Sequence, residues 1–222
     1  MLHSRIFVFN PLETNCTVLW EDGSASCTVV DPGMSSPDGC RELTDFLRAN
    51  GLTPDAIFLT HGHFDHLWGV DRLLSEYPAP VYLHPDDKDI MSRITGGKGM
   101  DIFSFLKHDF PTVDIADGDT LTGGGTTWKV LHTPGHSPGS CCFLAESSPL
   151  LMSGDTLFAG CIGRTDLAGG DYDVLMDSLL QKVMVLPGET DVIPGHGRPT
   201  TIGREAMTNP FLDPFNEPEK DL

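Results

Sequence analysis
The chain has 222 residues, 39 % hydrophobic and 21 % charged, which is ordinary globular make-up and enough for one large domain or two small ones. Its 14 basic residues against 32 acidic ones give a formal charge of −18. That excess disfavours nucleic acid, whose phosphates need Lys and Arg to neutralise them.

Three further classes are set aside from the sequence. No apolar run approaches the length needed to span a bilayer, so no membrane partner is expected. The opening MLHSRIFVFNPL holds only a four-residue apolar run, too short for a signal-peptide core, and a cytoplasmic location is expected. The six cysteines show no CxxC pairing and read as free buried thiols.

In chain order, residues 5–31 predict a β-meander: IFVF, CTVLW and ASCTVVD are β-branched and aromatic runs separated by Asn, Glu, Asp and Gly. A helix follows, with Pro37 near its start, Cys40, Leu43, Phe46 and Leu47 on one face and Gly51 as its C-cap. AIFL at 56–59 is a short buried strand. Leu67, Val70, Leu73, Leu74 and Tyr77 then recur at helical spacing up to Pro78, VYL at 81–83 is another strand, and residues 86–107 are helical in part. TTWKVLH, SCCFLA and PLLMS are strands with GGG and SSP turns between them. Residues 172–184 predict a long amphipathic helix with Val174, Leu175, Leu179 and Val183 inward. DVI at 191–193 is a strand, and a short helix near 202–208 precedes a Pro-rich acidic tail. The alternation of strands and helices in two β-rich halves predicts one layered α/β domain over residues 1–222.

Polar residues of one chemical kind interrupt this map just after four predicted strands. THGHFDH places His61, His63, Asp65 and His66 after AIFL. His136 follows TWKVLH, Asp155 follows LLMSG, and His196 follows DVIPG. Carboxyl ends of strands are where α/β sheets build their sites, and Gly and Pro beside each group allow tight turns around a small object. His61 and His63, two apart, share a side on extended backbone. Asp65 and His66 are adjacent and diverge as a helix begins. One segment can thus serve two ions, His61 and His63 on one, Asp65 and His66 on the other, with His136 and His196 completing three ligands at each and Asp155 bridging. Imidazole and carboxylate donors suit Zn²⁺ first, with Fe or Mn also compatible, and two divalent ions per chain are expected. His84 and His132 are expected to be structural hydrogen-bonders, and His3 and His108 have no supporting context.

This constellation resembles the metallo-β-lactamase superfamily, whose fold is a four-layered α-β-β-α sandwich with metals at one edge of two sheets. Asp31 in VVDPG, HxHxDH at 61–66, His136 in HTPGHSPGS, Asp155 in SGDTLF and His196 in PGHG carry the resemblance in the family's order. GDTLFAGCIGRTD and TNPFL are similar to the glyoxalase II (hydroxyacylglutathione hydrolase) branch, in its short bacterial form. The resemblance implies His61, His63 and His136 on the first metal, Asp65, His66 and His196 on the second, Asp155 between them, and Asp31 as a supporting partner. Full-length glyoxalase II enzymes carry a C-terminal helical domain for glutathione; only residues 197–222 follow His196 here, so no such domain is expected. Arg164 and Asp166 stand where that family has Lys and Tyr. The resemblance therefore leaves Arg164 as the cation for a carboxylate of the thiol portion.

The expected activity is hydrolysis of a small-molecule thioester such as S-lactoylglutathione by a hydroxide shared between two metals, with Asp65 orienting it. A thiolate leaves without strong acid help, which makes a thioester the easiest substrate. The alternatives are a persulfide dioxygenase with one iron, to which the GRTD run at 163–166 is also similar, and a hydrolase of another ester or lactone. A complete second ligand set favours the binuclear hydrolase over the dioxygenase.

Overall fold
A computed structural model describes residues 1–95 and 110–212. The chain opens with an antiparallel meander of β1 (Leu2–Val8), β2 (Asn15–Glu21) and β3 (Ser26–Val30). Helix α1 (Pro37–Ala49) starts at Ser36, whose hydroxyl accepts from the Gly39 N–H, and closes where Gly51 takes the left-handed φ of 63°. Strand β4 (Thr53–Phe58) lies parallel to β3, and β5 (Val81–Leu83) and β6 (Val113–Asp114) continue that parallel arrangement. The result is a six-stranded sheet in sequential order.

A second six-stranded sheet holds β7 (Thr120–Gly123), β8 (Thr126–His132), β9 (Cys141–Ala145), β10 (Leu150–Gly154), β13 (Asp191–Pro194) and β14 (Thr200–Thr201). Its four strands from β7 to β10 run antiparallel, whereas β10 and β13 are parallel. The small hairpin of β11 (Leu157–Phe158) and β12 (Cys161–Ile162) stands apart from both sheets.

Strand side chains alternate between faces, and both faces of the central strands are buried, which explains their continuous apolar runs. In the first sheet Val18, Val29 and Ile57 face outward onto Cys40, Leu43 and Leu47 of α1 and onto the segments after β4. Their neighbours Leu19, Val30 and Phe58 face inward and meet Trp128, Val130, Phe143 and Met152 of the second sheet. The second sheet's outer face, with Cys142, Leu151 and Val192, is covered by Leu175, Leu179, Val183 and Ile202. This is the four-layered α-β-β-α sandwich. Among the described residues no helix is long and apolar enough to cross a membrane.

Several elements differ from expectation. The helical spacing after the HxHxDH segment is realised as two short helices, α2 (Phe64–Leu67) and α3 (Val70–Glu76), parted at Trp68 and Gly69. A single turn at Pro85–Asp87 leads into α4 (Lys88–Thr95); the rest of the predicted partial helix, with His108, lies outside the described residues, as does the acidic tail beyond Leu212. The 172–184 helix is α5 (Tyr172–Ser178) running on into a wide turn over Leu179–Val183. Leu175, Leu179 and Val183 are buried, but Val174 is exposed, since it lies about 100° round the helix from Leu175 and off the face packed on the second sheet. Strand β7 and the β11–β12 hairpin were not anticipated. All six cysteines are free and all but Cys161 are buried.

Phe58 is the aromatic hub between the sheets, stacked on Phe143 at 4.7 Å and edge-on to Tyr82 at 5.6 Å and Trp128 at 6.0 Å. Phe58→Ala should therefore cost about 3–5 kcal/mol in urea unfolding. The exposed Leu180→Ala should stay within about 0.5 kcal/mol. Equal costs for the two variants would contradict the inter-sheet core described here.

Candidate metal centre
The residues singled out from the sequence meet at one edge of the sandwich. Asp31 follows β3, His61 and His63 follow β4, His136 follows β8, Asp155 follows β10 and His196 follows β13. Asp65 and His66 lie on α2, directly after His63. His61, His66, Asp65 and His136 are buried, while His63, Asp155 and His196 are partly exposed and face the opening.

Four of the five histidines, all but His63, are aimed by the bond their outer nitrogen makes. His66 Nδ1–H donates to Asp31 Oδ2 at 2.9 Å, His136 Nδ1–H to the Arg164 carbonyl at 2.7 Å, and His196 Nδ1–H to the Leu12 carbonyl at 2.9 Å. The Thr60 hydroxyl donates to Asp31 Oδ2 at 2.7 Å, so its oxygen is free to accept from His61 Nδ1–H at 3.1 Å. With Nδ1 committed outward in all four, each Nε2 is the atom turned to the interior, and it offers a lone pair once the ring is neutral. Asp31 itself receives a third bond, from the Thr60 N–H at 2.8 Å. It takes a left-handed φ of 49°, a conformation that Asp tolerates better than most residues.

These interior nitrogens crowd one another. His66 Nε2 and His196 Nε2 are 3.2 Å apart, and His136 Nε2 is 2.9 Å from His63 Nδ1. Two lone pairs cannot face each other at this distance without a proton or a cation between them. Nitrogens that share one tetrahedral ion at about 2.0–2.1 Å stand roughly 3.3 Å apart, close to the spacing seen. Asp155 reaches both pairs: Oδ1 lies 3.5 Å from His66 Nε2, and Oδ2 lies 3.5 Å from both His136 Nε2 and His196 Nε2. Asp65 Oδ2 is 3.4 Å from His196 Nε2 and accepts from the Thr14 hydroxyl at 2.7 Å. His61 Nε2 and Asp155 Oδ1 are buried without a hydrogen-bond partner, a costly state that metal ligation would relieve. His61, His63 and His136 form one compact donor group, and Asp65, His66 and His196 another. The donors fit divalent metal ions.

The electrostatics agree. Burial would lower His66, but Asp31, Asp155 and Asp65 outweigh it and hold the imidazole up to about 10. Burial would likewise raise Asp155, yet the surrounding histidines, His66 foremost, hold it down to about 2. His63 is pushed down to about 4 by burial and by His136. The carboxylates thus favour positive charge between His66 and His196. Burial pushes the Cys142 thiol up to about 11, leaving it no nucleophile at neutral pH.

Two sequence expectations gain atomic detail. The Arg164 guanidinium lies on the surface, bonded twice to Asp166 at 2.7 and 2.8 Å; it is the Arg164 carbonyl that reaches the site, through His136. His84 and His132 do serve as hydrogen-bonders: His84 Nδ1 accepts from the Asp86 N–H and His132 Nε2–H donates to the Pro138 carbonyl. Asp86 joins these two histidines in a separate donor group, while His61, His66 and Asp155 form one that overlaps the two above. The His84 and His132 rings, however, stack at 3.9 Å with planes 7° apart, so their in-plane lone pairs run parallel instead of converging. Missed entirely were Asn10, whose amide donates to the Gly33 and Asp65 carbonyls, and Thr14 on Asp65. Both sit 50 or more residues from the segment they support, and only the NPLETN turn chemistry hinted at a built loop.

Comparison with known proteins follows the same lines. A family model described as the Metallo-beta-lactamase superfamily matches residues 9–196. The chain is 37 % identical to "Probable metallo-hydrolase YqgX" of Bacillus subtilis, over 93 % of this chain and 95 % of that one. It is 29 % identical to "Hydroxyacylglutathione hydrolase GloC" of Haemophilus influenzae, over 96 % and 99 %. Among solved structures it is similar to the BLEG-1 B3 metallo-beta-lactamase (38 % identity, TM-score 0.82, 95 % of this chain and 99 % of that one). It is also similar to TTHA1623 in a di-iron-bound form (38 %, TM-score 0.80, 94 % and 100 %).

Ligation requires neutral imidazole. With His66 held up to about 10 it is protonated at pH 7, whereas His63, at about 4, is already neutral. Adding Zn²⁺ to the metal-free chain at pH 7 in weak buffer should release protons, read with an indicator dye, and affinity should rise as pH rises from neutrality toward about 10. Uptake without proton release, or affinity that falls over that range, would contradict the charge balance described.

Proposed function
This chain belongs to the metallo-beta-lactamase superfamily, and on that premise we propose that it is a binuclear metallo-hydrolase that cleaves a thioester, with S-lactoylglutathione the first substrate to try. The observation that carries the proposal is the pair of three-donor groups joined by Asp155. The first ion is assigned to His61, His63 and His136 and the second to Asp65, His66 and His196. Zn²⁺ is the first choice for a set of imidazoles and carboxylates without thiolate; the di-iron form of TTHA1623 supports iron as the other.

When bound, two such ions supply Lewis acidity and a water acidic enough to be a nucleophile at neutral pH. The chain's own contribution is position. Asp65, fixed by Thr14, orients the attacking water and takes up its proton at the carboxylate. The histidines' outer nitrogens are committed to Asp31, Thr60, Arg164 and Leu12, so none of these four is spare to protonate a leaving group. A substrate that departs as a weakly basic thiolate suits this arrangement, and an amide, which must be protonated to leave, suits it less. The hydroxyacylglutathione hydrolase relative supports the same class. The likeness to BLEG-1 makes a β-lactam the second class to assay.

Arg164 is proposed to bind a carboxylate of the thiol portion by exchanging Asp166 for the ligand. An exposed pair of this kind is screened by water and adds little stability, so the exchange is cheap.

The test is turnover of S-lactoylglutathione and of a β-lactam by metal-loaded protein, with Asp155→Ala, His132→Ala and Arg164→Met beside the wild type. Thioester turnover that Asp155→Ala abolishes and His132→Ala lowers far less is the expected result. Arg164→Met should raise KM with little change in kcat, and only on thioesters carrying carboxylates. Turnover of the β-lactam alone, or equal damage from His132→Ala and Asp155→Ala, would overturn the reading.

A further inference from the structure
Asp87 ends the single turn after β5 and is completely buried, yet it belongs to neither donor group. Its Oδ2 accepts the Gly62 N–H at 2.7 Å and the Ser137 hydroxyl at 2.7 Å, and its Oδ1 accepts the Gly139 N–H at 2.6 Å. Gly62 separates His61 from His63, and Ser137 and Gly139 follow His136. One carboxylate therefore joins the two loops that carry the first donor group.

Packing leads to the same place from a second direction. A Cβ at residue 62 would stand 2.7 Å from the Asp87 carbonyl oxygen, and one at 139 within 2.8 Å of Asp87 Cβ, Cγ and N. Both glycines in HGH and SPG are thus explained by close approach to Asp87. The turn is anchored as well. His84 caps it through the Asp86 N–H and stacks on His132, whose Nε2–H donates to Pro138, inside the same loop as Ser137 and Gly139.

We infer that Asp87 is a positioning residue for the His61–His63–His136 group: it sets the separation of the two loops and hence the convergence of their three nitrogens. This inference rests on the two-ion reading above. Asparagine in its place presents an amide N–H₂ where a carboxylate oxygen now accepts, so it must release at least one of the three donors and let one loop drift. Supporting residues of metal ligands typically contribute about 10–100-fold in affinity, and the loss should fall on one ion only.

The experiment measures the dissociation constant of each Zn²⁺ ion by competition with a chromophoric chelator, on wild type, Asp87→Asn, Ser137→Ala and Leu47→Ala. Asp87→Asn should weaken one ion about 10–100-fold and leave the other. Ser137→Ala, which removes one of the three bonds and is the gentler change should Asp87→Asn fold poorly, should weaken that same ion by less. Leu47→Ala, a cavity under α1 remote from both loops, should lower the melting temperature and keep both affinities. Unchanged affinity in Asp87→Asn and Ser137→Ala, or an equal loss of both ions in step with Leu47→Ala, would overturn the assignment. A wild type that holds a single ion would sink the binuclear reading instead, and the loss or retention of that ion in the two loop variants would still decide the role of Asp87.

Discussion
The rest of the structure depends on one electrostatic constraint: Asp31, Asp65 and Asp155 are gathered with five imidazoles in a largely buried pocket. Removing a carboxylate from water costs several kcal/mol even after the protein relaxes, unless positive charge and hydrogen bonds answer it. Here the answering hydrogen bonds come from Thr14, Thr60 and His66. The remaining imbalance appears in His66, whose proton the three carboxylates retain to about pH 10. A pocket with this charge distribution is built to receive cations. Its donors already stand at the mutual spacing that a shared tetrahedral ion imposes.

The sandwich supplies the stiffness this arrangement requires. The loop between β1 and β2 is stitched to the far side of the site. Asn15 N–H donates to the Gly195 carbonyl at 2.7 Å, its amide holds the Pro194 and Gly197 carbonyls, and Leu12 aims His196. The first and last donors of the second group are thus held by a segment that comes before either of them in sequence. Across the pocket, the Cys141 N–H donates to the Thr60 carbonyl at 2.8 Å and ties the second sheet to the strand end that carries His61. Each donor group is therefore held by hydrogen bonds from outside its own segment.

The clustering of donor side chains was legible in the sequence because His and Asp gather at strand ends, where a core would not place them. THGHFDH, HTPGH, SGD and PGHG have no rationale as core. The two-faced central strands were legible for an equally local reason, since runs such as TVV and AIF are apolar at consecutive positions. What escaped were partnerships between distant segments. Asn10, Thr14 and Asp87 look like turn residues in NPLETN and HPDD, and their work depends on which loops the fold brings beside them. Two-residue strands such as β11 and β12 carry too little pattern to be read, and the break at Gly69 is invisible to a periodicity that continues on both sides. Val174 was placed inward by a stripe drawn one residue too wide.

The most direct test of the account is anomalous diffraction at the metal absorption edges from crystals of protein purified without added metal. The account predicts two peaks roughly 3.5–4 Å apart. One should be bound by His61, His63 and His136 and the other by Asp65, His66 and His196, with Asp155 reaching both. A single fully occupied peak, with His66 and His196 still in direct contact with each other, would contradict it.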